Sequence, residues 1–227
     1  MRLSLILLIL FFSCTNNARQ EQKKNAIDLS DSVPIIYDEP FDLKVKKYED
    51  PTRQSWQDPR LVLTELGDLT DKVVADIGSG TGYFTFQLAG AAQKVIAIDI
   101  EQRFLDYIED RKIELSNRSL ANKIETRLTS PDNPSIGPGE VDNVLMVNTF
   151  SYIENRDNYL RKIREGMKPT GMVVIVDYKP GVMPIGPAND LKVSMDQVIK
   201  ELRGASFKVI RADSVSLQYQ YIITSIR

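Results

Sequence analysis

Asp76, Gly78, Gly80, Gly82 and Asp99 are the residues whose types and spacing point to ligand chemistry. They stand in one stretch, VVADIGSGTGYFTFQLAGAAQKVIAID, from Val73 to Asp99. Alternate glycines leave the backbone of a turn uncovered, so a ligand can approach it closely, and glycine accepts the positive φ a tight turn requires. A helix that starts at such a turn aims its free N–H groups and the positive end of its dipole at whatever lies above. An acid at the carboxyl end of the next strand stands where it accepts hydrogen bonds from two ribose hydroxyls. The ligand implied is a nucleoside.

The elements that must position these residues are legible around them. VVADI is short, apolar and rich in β-branched residues, which predicts a buried parallel strand. Tyr83 to Ala91 reads as a helix, and Val95 to Ile98 as a second buried strand that ends on Asp99. Together they form one βαβ unit. The dinucleotide fingerprint G-x-G-x-x-G would place its third glycine at position 83, where Tyr83 stands, so the spacing argues against a nicotinamide oxidoreductase.

The pattern found instead, D-x-G-x-G-x-G from Asp76 to Gly82, resembles the first motif of class I S-adenosylmethionine-dependent methyltransferases. The resemblance implies that the turn of Gly78, Ser79, Gly80 and Gly82 meets the methionine part of the cofactor. It also implies that Asp76 lies near the cofactor's amino group and that Asp99, with Ile100 beside it, holds the ribose. Residues after the third strand contact adenine in that family, which nominates Ser130 and Asp132. The bland alternatives are a plain βαβ turn with incidental glycines, and an Asp132 that simply caps a turn.

Methyl transfer from a sulfonium is an in-line displacement, so the protein mostly aligns the acceptor and keeps water out. A general base is needed only where the acceptor must lose a proton. Candidates at the carboxyl ends of strands four and five are Asn148, Tyr152, Asp177 and Tyr178, each of which also suits a structural hydrogen-bonding role. Phe150, Tyr152, Tyr178, Met183 and Ile185 favour an apolar or aromatic acceptor over a polyanion. Close members of the family carry two histidines after the fourth strand, where this chain has Phe150-Ser151-Tyr152-Ile153. They also carry a histidine and an arginine after the Gly-Pro that here is Gly186-Pro187, followed by Ala-Asn-Asp-Leu. Two functions compete: a methyltransferase acting on a small acceptor, and a membrane-tethered binding protein that keeps the fold without turnover.

Composition narrows the field. The 227 residues carry a net charge of −2 and 42% hydrophobic residues, enough for one sizeable α/β domain and without the basic excess of a nucleic-acid binder. No histidine and one cysteine exclude a zinc site, a histidine-based triad and an internal disulfide. Residues 1–14, MRLSLILLILFFSC, read as an export signal: Arg2, then an apolar run from Leu3 to Phe12 that is too short to span a bilayer. Cys14 after Ser13 resembles a bacterial lipobox, which implies a lipoprotein of the cell envelope with Cys14 lipidated. An uncleaved anchor or an ordinary export signal are the alternatives, and a cytoplasmic location results if the signal is not used. Residues 15–33 are polar and read as a flexible tether.

The domain is expected over residues 34–227, with residues 34–66 as an N-terminal extension and helix. That extension carries Tyr37, Phe41, Tyr48 and Trp56 and reads equally as a cover over the active site or as a strap on the surface. Asp58-Pro59 marks a helix start, with Leu61, Val62, Leu63 and Leu66 as its buried side and Gly67 as the stop. Further on come a helix over 101–115, a strand over 124–128, a Pro/Gly-rich loop over 129–140, a strand over 141–148 and a helix over 157–166. Lys168 to Gly171 read as its closing turn and Met172 to Tyr178 as the fifth strand. Leu191, Met195, Val198 and Leu202 predict a helix that Gly204 stops, and residues 207–212 and 218–226 predict an antiparallel pair at the sheet edge. The fold class is α/β, a Rossmann-like, seven-stranded, mostly parallel sheet with helices on both faces.

Overall fold

The structure is a computed structural model that describes residues 39–227. The expected signal, Cys14, the tether and the start of the extension, Tyr37 included, lie outside the described residues. Three helices come first: α1 (Phe41–Tyr48), α2 (Arg53–Gln57) and α3 (Pro59–Thr64). The alternating part continues as β1 (Val73–Ile77), α4 (Tyr83–Ala91), β2 (Lys94–Asp99), α5 (Gln102–Glu114), α6 (Arg118–Ala121) and β3 (Ile124–Leu128). The second half holds β4 (Val141–Val147), α7 (Arg156–Gly166), β5 (Met167–Tyr178), α8 (Met195–Gly204), β6 (Lys208–Asp213) and β7 (Gln220–Ile226).

The strands form one seven-stranded sheet in the order β3-β2-β1-β4-β5-β7-β6. β1 to β5 pair in parallel, and β7 runs antiparallel to both β5 and β6. β1 sits beside β4, where the strand order reverses, which is where an open α/β sheet makes a ligand crevice. Both faces are covered, as the near-continuous apolar strands require. Ile77, Ile98, Met146 and Ile175 pack on one face with Leu160 and Ile163 of α7 and Val198 and Leu202 of α8. Val74, Val95, Leu145 and Val174 point to the other, with Val62 of α3 and Phe84 and Leu88 of α4.

Two expectations need correction. Lys168 to Gly171 do not close a turn before the fifth strand but belong to β5, which starts at Met167. The partner register jumps there from Val141↔Met167 to Asn143↔Met172, so Pro169 sits in a bulge where no ladder hydrogen bond is asked of it. Leu191 lies in a one-turn 3-10 helix and not in α8, which starts after Ser194 caps it by accepting from Gln197 N. The last two strands form the expected antiparallel pair at the sheet edge, with β7 next to β5 and β6 outermost.

Two polar residues pin the amino-terminal edges of the central strands. Asp142 accepts from Val73 N at 2.9 Å and from Lys168 Nζ at 2.8 Å. The Asn143 side chain donates to Leu66 O at 3.1 Å and accepts from Met172 N at 3.1 Å. Both are buried, and each links β4 to its neighbours in one register.

Candidate functional site

The turn after β1 takes the conformation its glycines permit. Gly78, Gly80 and Gly82 have φ of 73°, 52° and 82°, all in the left-handed region that side chains resist. Space is as short as conformation: a Cβ on Gly78 would stand 2.1 Å from Thr149 Oγ1, and one on Gly82 2.9 Å from Phe86. Gly78 N and Ser79 N both donate to Ile98 O, at 2.8 and 3.1 Å, which anchors the turn to the end of β2.

Asp99 closes this half of the site. Its Oδ2 accepts from Gly80 N at 2.8 Å and its Oδ1 from Glu101 N at 3.0 Å, so the carboxylate is fixed and still has lone pairs to offer. Burial raises its pKa, while the N–H bonds of Glu101, Gly80 and Ile100 pull it down. Asp76 is buried below the turn and accepts from Thr85 Oγ1 at 2.7 Å. Burial pushes its carboxyl up to about 6, against the pull of the Thr85 hydroxyl and the positive Arg53. Ser79 Oγ and Thr81 Oγ1 are buried and have no hydrogen-bond partner among the described residues. Native interiors rarely leave such groups unpaired, and both stand in the glycine turn where a polar ligand would satisfy them.

The N-terminal extension runs past the glycine turn to the ends of β4 and β7. α1 is seated on α5: Phe41 and Tyr48 pack on Phe104 with ring centres 5.1 and 5.5 Å apart, and Lys44 pairs with Glu101 at 2.9 Å. Tyr48 then lies against the glycine turn, 3.4 Å from where a Cβ of Gly80 would be. The Arg53 guanidinium stacks over Tyr83, 4.2 Å from the ring centre. Trp56 reaches the other half, 6.2 Å from Tyr178 and 6.4 Å from Tyr219 between ring centres. Gln57 is fully buried and starts a line of side-chain amides: it accepts from Arg53 Nε and donates to Gln220 Oε1, and Gln220 donates to Asn148 Oδ1. The line ties the extension to the ends of β7 and β4.

The acceptor-side candidates separate under this geometry. Asn148 has φ 58° and its carbonyl oxygen is engaged by Gln220, which fixes the chain as it leaves β4. Asp177 is buried, and its carboxylate accepts from Ser151 N at 3.0 Å and Tyr178 N at 2.7 Å, so it holds the short 3-10 turn Phe150–Tyr152 in place. Tyr178 is only 8% exposed and packs under Gly186, whereas Tyr152 is 47% exposed. Burial raises both phenols to about 12, with the Asp177 charge adding to each. Ile100 lies exposed beside Asp99. Ser130 and Asp132 bond to each other at 2.7 Å in an exposed turn whose Asp132 carbonyl accepts from Lys162 of α7. Among the described residues no group of side chains suits a metal ion.

Sequence reading missed Arg53, Gln57 and Gln220. No local motif marks them, since only the crossing of the extension brings them to the turn.

A family model described as a methyltransferase domain matches residues 75–173, the segment from β1 into β5. The crystal structure of an S-adenosylmethionine-dependent methyltransferase from Aquifex aeolicus superposes with a TM-score of 0.74 at 25% identity, over 81% of this chain and 97% of that one. Demethylmenaquinone methyltransferase of Tropheryma whipplei is 27% identical over 161 residues, 71% of this chain and 61% of the relative. The tRNA U34 carboxymethyltransferase of Ruthia magnifica is 28% identical over 116 residues, 50% of this chain and 35% of the relative. The chain thus spans about a third to three-fifths of the length of these curated relatives. The cofactor of such methyltransferases is S-adenosylmethionine, and the glycine turn, its two unpaired hydroxyls and the carboxylates of Asp76 and Asp99 suit its amino-acid and ribose ends. By its fold, its glycine turn and the domain matched over residues 75–173, the chain is similar to the class I S-adenosylmethionine-dependent methyltransferases.

Proposed function

We propose that this protein transfers a methyl group from S-adenosylmethionine to a small, apolar or aromatic acceptor. The observation that carries the reading is the glycine turn with Asp99 bonded to Gly80 N, an arrangement that leaves a ribose-facing carboxylate and two unpaired hydroxyls in one place. In the proposed site Asp99 holds the ribose, the Ser79–Gly82 turn receives the amino-acid end, and Asp76 faces its ammonium. The bound sulfonium would supply the methyl group. The chain's own part is to align the acceptor against it and exclude water, which the extension from Tyr48 to Trp56 supports by covering the turn.

The acceptor half is aromatic: Tyr152 and Tyr178 from the sheet end, Trp56 from the extension. Their faces suit a flat or apolar acceptor and attract the positive charge of the sulfonium. One relative carries a quinone in its name, demethylmenaquinone, which agrees with that class. Asp177 is buried, with its carboxylate held by the N–H groups of Ser151 and Tyr178 and its pKa raised by burial. The tyrosines titrate well above neutrality, so the acceptor attacks without losing a proton to them. The same observation favours a second reading, a binding protein that holds the cofactor without turnover.

Incubation with methyl-labelled S-adenosylmethionine and a panel of quinols, phenols and amines separates the two. Label in an organic-soluble product supports transfer, binding without label supports the second reading, and absence of binding defeats both. We also propose attachment to a membrane through a lipidated Cys14, which rests on the sequence of residues 1–14. Mass spectrometry of the mature N-terminus checks it: an unmodified Cys14 or a retained Met1 rules the attachment out.

A further inference from the structure

We infer that Arg53, on the extension and outside the matched domain, binds the α-carboxylate of the cofactor's amino-acid end, with Asp76 taking the ammonium. This rests on the function proposed above and deepens it.

The case starts with a charge that has no opposite. Arg53 is half-buried, donates from Nε to Gln57 and from Nη1 to Tyr48 O at 2.9 Å, and forms no ion pair with any carboxylate among the described residues. Its Nη2 side of the fork has no hydrogen-bond partner there. Among the described residues three other partly buried arginines are answered by carboxylates: Arg127 pairs with Glu125 and Glu140, Arg156 with Glu201, and Arg111 with Glu49. A guanidinium withdrawn from water without an anion is costly, and its planar fork matches a carboxylate in two places at once. Burial lowers the pKa of Arg53, as expected where no carboxylate bond offsets desolvation.

Position selects the anion. Stacking on Tyr83 puts the guanidinium over the first residue of α4, just beyond Gly82. Asp76 lies beneath the same turn, close enough to feel the Arg53 charge but bonded to Thr85 instead of to it. One negative and one positive group thus flank the turn and leave each other unpaired. That polarity complements an α-amino acid zwitterion and not a phosphate, which would be repelled by Asp76. Because Gln57 joins Arg53 to Gln220 and Asn148, filling the carboxylate position also fixes the extension across the acceptor half.

The test compares two ligands that share the thionucleoside and differ in the amino-acid end: S-adenosylhomocysteine and 5′-methylthioadenosine. Calorimetry on the wild type and on Arg53→Met should show S-adenosylhomocysteine affinity falling by about ten- to a hundredfold while methylthioadenosine affinity holds within about twofold. Arg53→Lys, which keeps the charge and loses the fork, should fall between. Equal losses for both ligands in the two variants, or no loss for either, overturn the assignment. A wild type that binds neither ligand instead overturns the function on which it rests.

Discussion

Asp99 and Gly80 are joined directly: the carboxylate that ends β2 accepts from the backbone N–H of the turn after β1, at 2.8 Å. In the proposed site the bond fixes the acid that holds the ribose to the segment that receives the amino-acid end, so one residue would both shape the turn and serve the ligand. Asp99→Ala should weaken S-adenosylhomocysteine binding by about 1.5–3 kcal/mol, roughly ten- to a hundredfold, with the fold retained. Calorimetry beside circular dichroism checks both parts. Undiminished binding would show that the ribose lies elsewhere.

The raised pKa of Asp76 makes binding pH-dependent. In the proposed site the deprotonated carboxyl faces an ammonium, so affinity should be full above about 7 and fall about tenfold per pH unit below about 6, as the carboxyl takes up its proton. Asp76→Asn should flatten this dependence. Stability moves the other way. The folded pKa lies above the unfolded carboxylate value of about 3.9, so the group's burden on the ligand-free protein is absent at low pH and grows as pH rises through about 6. Asp76→Asn should therefore raise Tm relative to wild type at pH 8 more than at pH 5. A constant difference across that range refutes the shift.

Gly78→Ala tests the turn itself. A Cβ there meets Thr149 at 2.1 Å and must take φ of 73°. Strain of about 1–3 kcal/mol is expected, or several degrees in Tm for a chain of this size. Thr149→Ala in the same chain should return part of the loss by removing Oγ1 and Cγ2, but not the part owed to φ. Additive losses in the double variant would mean the two sites do not touch.

Tyr152 and Tyr178 should respond differently to truncation. Tyr152 is nearly half exposed, so Tyr152→Ala should cut turnover with little change in Tm or cofactor affinity. Tyr178 fills the space under Gly186, so Tyr178→Ala should lower Tm as well, by the equivalent of about 2–4 kcal/mol. Thermal scans beside a transfer assay separate the two. A Tyr152→Ala variant with full turnover removes that residue from the acceptor site.

The βαβ unit from Val73 to Asp99 was legible because its information is local: β-branched strands, alternate glycines and an acid at a strand end all act within 27 residues of sequence. The helix cap Asp58 was equally readable, from the proline and the apolar residues next to it. Pro169 misled, because proline after a helix usually ends an element, whereas here a bulge of β5 shelters it. Arg53 and Gln57 were unreadable for a deeper reason. Their partners, Tyr83 and Gln220, lie 30 and 163 positions away, and no pattern along the chain records a crossing made in space.

The two ends of the sheet are built to opposite standards. At one end Asp142 and Asn143 tie β4 to β1, to β5 and to Leu66 through four hydrogen bonds. At the other, Gly78, Asn148 and Gly186 all take left-handed backbone, and the segments after β4 and β5 are held by side chains such as Asp177 and Asn189. Strand alignment is thus set at the end away from residues 149–153 and 179–193. If those segments hold the acceptor as proposed, grafting them between proteins of this fold should exchange one methyl acceptor for another while the sheet keeps its register.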